Sequence, residues 1–188
     1  FRALRPQANQ ALNALWGDDA YMLPLAFLQG FGLLLDGGLL DRDERVLYTS
    51  YDLAEEARGD LATWEDYAKT LRALLIWLDV LSDLDFATVP DDIAASLESA
   101  QTDLRELTRM IVQWLIRYHV ERVDTEYQLD LPEDATLSQR SELILGLITA
   151  AGELEAPLLQ DVTRSLSKSF LQQDLLSSWE GGAVSHEH

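Results

Sequence analysis

"DDIAASLESAQTDLRELTRMIVQWLIRYHVERV", residues 91–123, decides the fold class. Ile93, Leu97, Ala100, Leu104, Leu107, Ile111, Trp114 and Tyr118 alternate spacings of four and three. That is a period of about 3.5 residues held over about seven turns, the pattern of a long bundle or coiled-coil helix. Pro90 precedes it and Asp91-Asp92 open it, with acids placed favourably near the N-terminal dipole. Met110, Val112, Leu115 and Ile116 widen the apolar surface near its end. One long heptad-like helix is expected over about 91–123.

Working outward toward the N-terminus, Thr63 and Asp66 stand in a capping-box-like relation. The helix they open carries Trp64, Tyr67, Leu71, Leu74, Leu78 and Leu81 at i, i+3, i+4 and i+7. Leu75, Ile76, Trp77 and Val80 coat its other sides. A helix apolar nearly all round is central or faces a partner. Before it, Val46, Leu47, Tyr48, Tyr51, Leu53 and Ala54 supply the inward side of a helix expected from about Asp41 to Arg58, ending at Gly59. "AYMLPLAFLQGFGLLLDGG" reads as a further helix with Pro24 in its first turn and Gly37-Gly38 as its stop. A short apolar-polar stretch over 7–16 precedes it.

Toward the C-terminus, "QLDLPEDATLSQ" is a connection in which Thr136 or Ser138 caps the next helix. That helix carries Leu143, Ile144, Leu147, Ile148 and Ala151. Pro157 sits in the first turn of a last one, running through Leu159, Val162, Leu166 and Phe170 to Trp179. "GGAVSHEH" reads as a flexible polar tail over 181–188. No strand is convincing and no repeat of fixed period is apparent. The expectation is an all-α single domain over 1–180, a bundle of about six to seven helices.

Composition limits function. Asp plus Glu is 33 against 14 Lys plus Arg, a net charge of −19. Such a surface repels phosphate backbones and anionic membranes, so neither direct nucleic-acid binding nor membrane insertion is expected. No apolar run reaches the roughly 20 residues of a membrane span, and "FRALRPQANQ" lacks the apolar region of a signal peptide, so a cytoplasmic location is expected. With no cysteine there is no disulfide, thiolate metal site or thiol nucleophile.

Motifs with chemistry are few. Gly30-x-Gly32 has Leu35 where a third glycine belongs, so it fails the dinucleotide pattern. No Glu stands three residues before His119, as a di-iron bundle requires. Asp18-Asp19, Glu55-Glu56 and Asp91-Asp92 lack the spacing of a calcium loop, and Asp41 and Asp43 are followed by Arg45 where the next oxygen ligand belongs. His186 and His188 lie in the tail. No cofactor or metal is expected, and no catalytic residue is nominated. On a helical wheel His119 lies one step, about 100°, from Tyr118 and shares a side with Leu115, Arg122 and Val123. Arg117–Glu121 and Arg122–Glu126 stand at i, i+4, the spacing of an exposed, ion-paired surface. His119 is therefore a boundary residue and a candidate pH-sensitive contact.

By this reading the chain is a non-enzymatic protein-interaction module: an adaptor, assembly factor, chaperone-like or scaffold subunit. Its candidate interaction face is Leu74, Leu75, Trp77, Leu78, Met110, Trp114 and Leu115, met by a protein partner or by a second copy in a homodimer. Three rivals remain. One is an acidic nucleic-acid mimic or inhibitor, the second a small-ligand pocket lined by Trp64, Tyr67, Trp77 and Trp114, the third an enzyme working through buried carboxylates.

Overall fold

The computed structural model describes residues 26, 29–32, 38–52, 54–85 and 89–172. The chain is mostly helical, with short strands. In order come β1 (Leu40–Asp41), β2 (Val46–Leu47), β3 (Tyr51–Asp52), β4 (Ala57–Arg58), α1 (Trp64–Ser82) and α2 (Asp91–His119). They are followed by β5 (Val120–Val123), β6 (Glu126–Leu129), α3 (Leu137–Glu153) and α4 (Pro157–Phe170). Residues 29–32 are also helical. The apolar-polar stretch over 7–16, the rest of the segment around Pro24, the continuation to Trp179 and the 181–188 tail lie outside the described residues.

The chain divides into two compact units. One takes the described residues up to Leu61 together with Asp79–Asp103; the other takes Ala62–Leu78 and the residues from Leu104 onward.

The first unit overturns the helix expected from Asp41 to Arg58. Two hairpins occupy that stretch, β1–β2 and β3–β4. Their cause is local. Oδ1 of Asp41 accepts hydrogen bonds from the amides of Asp43 and Glu44, both at 3.0 Å. Eleven residues later Oδ1 of Asp52 accepts from Ala54 at 2.8 Å and Glu55 at 3.2 Å. An aspartate that bonds amides two and three residues ahead gives the backbone a turn in place of a helix. Each turn ends on a residue in the left-handed region, Arg45 (φ 58°) and Glu56 (φ 50°). The registers match as well: Leu40 faces Leu47 as Tyr51 faces Arg58. The segment is thus a tandem repeat of eleven residues, which the sequence reading missed.

The two hairpins meet at Tyr48. The Tyr48 amide donates to the Leu39 carbonyl at 2.9 Å, while Tyr48 also bridges to Leu61. Thr49 donates to Asp60 and Gly59 donates to Ser50, each at 2.9 Å, extending the second ladder. Arg58 ties the repeats together, donating to Asp41 Oδ2 at 2.6 Å and lying 4.9 Å above the Tyr48 ring. Gly38 has φ 88°, and a Cβ there would run into the Tyr51 ring, so this position requires glycine.

The second unit is built as the helical pattern requires. Thr63 and Asp66 cap α1 reciprocally: the Thr63 amide donates to Asp66 Oδ2 at 2.9 Å, and the Asp66 amide donates to Thr63 Oγ1 at 3.4 Å. Thr136, not Ser138, caps α3, in a full capping box with Gln139. Pro157 opens α4. α3 packs on α4, and α4 packs on β6. Leu143, Leu147 and Leu166 are each no more than 1% exposed. α3 runs through Gly152 to Glu153.

The long helix is corrected at its end. It stops at His119, and residues 120–123 are the first strand of a hairpin, with Arg122 opposite Tyr127 and Val123 opposite Glu126. Arg117–Glu121 and Arg122–Glu126 are therefore not helix pairs. Glu126 instead pairs with Lys168 on α4, and the Tyr127 amide donates to Ser165 Oγ at 2.7 Å. The heptad stripe is buried at Leu97, Ala100, Leu104, Leu107 and Ile111, but Tyr118 is 53% exposed. A strict heptad drifts about 20° per repeat around an α-helix. Over this length the drift carries Trp114 and Tyr118 off the core, and Thr108, Val112 and Leu115 take their place. Thr108 is satisfied there by donating to the Leu104 carbonyl at 2.7 Å.

Candidate functional site

The second unit gathers an aromatic cluster from two helix ends. The Thr63 cap fixes the start of α1, which presents Trp64 and Tyr67 three residues apart. The end of α2 presents Trp114, Tyr118 and His119. Tyr67 and Trp114 stack with centroids 3.7 Å apart and planes 2° from parallel. Around this pair, Trp114 meets Tyr118 at 5.1 Å and His119 at 5.2 Å, both tilted. Trp64 lies 6.4 Å from His119. The cluster grades from buried to open: Tyr67 is buried, Trp64, Trp114 and His119 are half-buried, and Tyr118 is exposed.

His119 is also the hinge post of the hairpin. Its carbonyl accepts from the Asp130 amide at 2.9 Å, and its Nδ1 lies 3.3 Å from the Asp130 carbonyl. The ring is therefore pinned between the aromatic cluster and the closing end of β5–β6. As expected of a boundary residue it is half-buried. Arg117 lies over the Tyr118 ring at 5.4 Å, a cation–π contact at the outer edge of the cluster.

The expected interaction face is largely core. Leu74, Leu75, Leu78 and Leu115 are buried, so a partner cannot touch them without opening the chain. Trp77, Met110 and Trp114 keep partial exposure. Tyr118, which the heptad reading turned inward, is an open ring and belongs with Trp114. Of the four rings of the expected pocket, Tyr67 and Trp114 lie flat against each other.

The carboxylates that shift do so downward. The Glu44 amide and then the Arg58 guanidinium hold the Asp41 carboxyl below its ordinary value, and Asp41 in turn raises Arg58. The amide and hydroxyl of Thr63 do the same for Asp66. A general acid at neutral pH needs the opposite shift, and these two are turn and cap residues. Among the described residues no three His, Asp or Glu side chains converge as metal ligands, and no helix is long and apolar enough to cross a membrane. His186 and His188 lie outside the described residues. Compared with models of protein families, with curated proteins and with solved structures, the chain matches none.

Proposed function

We propose that the chain is a non-enzymatic protein-interaction module, an adaptor, assembly factor, chaperone-like or scaffold subunit working in the cytoplasm. Its contact surface is the aromatic edge where α2 gives way to β5: Trp64, Trp114, Tyr118 and His119. The observation that carries this reading is the exposure of Tyr118, 53%, on a ring already packed against Trp114. Large aromatic rings held in place before binding lose little freedom on association, and Trp and Tyr dominate the energetics of interfaces. Trp77 and Met110 are secondary contacts.

The test is Tyr118→Ser, a change at an exposed ring. The expected result is a folded variant with an unaltered melting curve that no longer retains the partner recovered by the parent chain from its host extract. A parent chain that is monomeric by light scattering and recovers no partner overturns the reading. So does a Tyr118→Ser variant that retains the partner fully. The net charge of −19 supports a second reading, an acidic mimic of nucleic acid. Competition by the chain against duplex DNA for a DNA-binding protein separates that reading from the first.

A further inference from the structure

Basic side chains in a chain with 33 acids ought to find partners, and several do. Arg58, Arg72, Arg164, Lys69 and Lys168 each form an ion pair. Arg105, Arg109, Arg117 and Arg122 do not: among the described residues none of them has an ion-pair partner. All four belong to the second unit. Between residues 105 and 122 four arginines face two glutamates, Glu106 and Glu121, inside a chain of net charge −19. Glu106 is exposed, yet it pairs with none of them.

Their positions are ordered. Arg105, Arg109, Gln113 and Arg117 are each four apart, the spacing of one ridge along an α-helix. Arg109, Gln113 and Arg117 are exposed and Arg105 is half-exposed. The ridge spans about 18 Å at 1.5 Å per residue. Arg105 and Arg109 stand at i, i+4, where like charges oppose helix formation, so helix stability does not explain the arrangement. At its far end Arg117 lies over Tyr118, which joins the ridge to the aromatic edge.

We propose that this ridge docks a short acidic polypeptide segment, its carboxylates on Arg105, Arg109 and Arg117 and an apolar side chain against Tyr118 and Trp114. The proposal rests on the interaction reading above and names the partner's chemistry. Guanidinium groups without an ion-pair partner are complementary to carboxylates, which they bind in paired hydrogen bonds. A peptide fits better than nucleic acid. A polyanion longer than the ridge would run onto a surface of the opposite preference, whereas a segment of about 18 Å stays within about two screening lengths of the arginines.

The probe is a fluorescein-labelled peptide of about 8 residues, (Glu-Ala-Glu-Leu)2, about the length of the ridge when extended, titrated with the full chain and read by anisotropy. Binding is expected at about 25 mM salt and is expected to weaken steeply at about 300 mM. The triple variant Arg105→Gln/Arg109→Gln/Arg117→Gln, all surface changes, is expected to weaken it at least about tenfold without moving the melting curve. No binding by the parent chain, or equal binding by the triple variant, overturns the proposal. Two other results overturn it by naming another occupant. One is tighter binding of oligo-dT of equal length, lost in the triple variant. The other is a parent dimer by sedimentation that the triple variant dissolves. Retention of the native partner by the triple variant, with loss in Tyr118→Ser, sinks this inference alone; retention by both sinks the interaction reading as well.

Discussion

Hairpins occur in both units, and they are held by different means. The tandem pair over 39–61 makes its turns with its own side chains, through Asp41 and Asp52 bonding amides two and three residues ahead. The hairpin over 119–130 is held from outside: α4 receives it through Ser165 and Lys168, and the end of α2 closes it through His119. In the first, Leu40 and Leu47 face each other and are buried, while both turns are closed by side chains of the hairpins themselves. The second depends on helices that must already be packed. Local polar bonds and tertiary packing are thus alternative ways to set a turn, and one chain uses both.

The contrast can be broken in four ways, from the largest effect to the smallest. Leu147→Ala empties a fully buried site on α3, which packs on the helix that receives the second hairpin. A loss of about 2–5 kcal/mol is expected, read from the urea midpoint, with exchange protection of the 120–129 amides falling alongside. Gly38→Ala strikes the first hairpins instead, through a positive φ and a clash with Tyr51. About 1–3 kcal/mol is expected there, with melting of the 39–61 amides ahead of the second unit. Ser165→Ala leaves the Tyr127 amide without its acceptor and costs about 1 kcal/mol, confined to the second hairpin in exchange experiments.

The smallest effect is a pH profile. Asp41 has a lowered pKa when folded, so its charged form stabilises the fold. That contribution is complete above the ordinary carboxylate value, about 3.9, and fades as pH falls through the lowered value. Asp41→Asn should therefore melt below the parent at neutral pH and converge with it in acid. A constant gap down to pH 2 would mean that the turn, not the charge, carries the effect.

Helical elements were legible wherever the core lay on one side of a regular helix. Thr63, Pro90, Thr136 and Pro157 marked four starts, because capping and proline geometry act over three or four residues. The hairpins were hidden for an equally local reason. Left-handed positions normally advertise themselves with Gly or Asn, and here Arg45, Glu56 and Asp124 occupy them. Val46, Leu47, Tyr48 and Tyr51 also fit a helical period, so nothing in the apolar pattern protested. The visible signal was the recurrence of Asp41 and Glu44 as Asp52 and Glu55, eleven residues on. Of the aromatic cluster, Trp114 and His119 were already singled out in the sequence. Tyr118 was turned the wrong way because a 3.5 repeat was followed past the point where the drift mattered. The arginine ridge escaped notice because ion pairing is a fact of three dimensions: Arg117 and Arg122 had apparent partners four residues on, and the helix ended before they met.

The meeting of the tandem hairpins at Tyr48 has a consequence for how this chain can change in length. Tyr48 serves the ladder before it and the ladder after it. A gain or loss of eleven residues would therefore hand the chain from one turn to its equivalent with strand direction and pairing register preserved. Any other increment would leave an aspartate facing the wrong amides. Insertions and deletions in this stretch should then come in whole periods, so that the hairpin array grows or shrinks by counting and not by drifting.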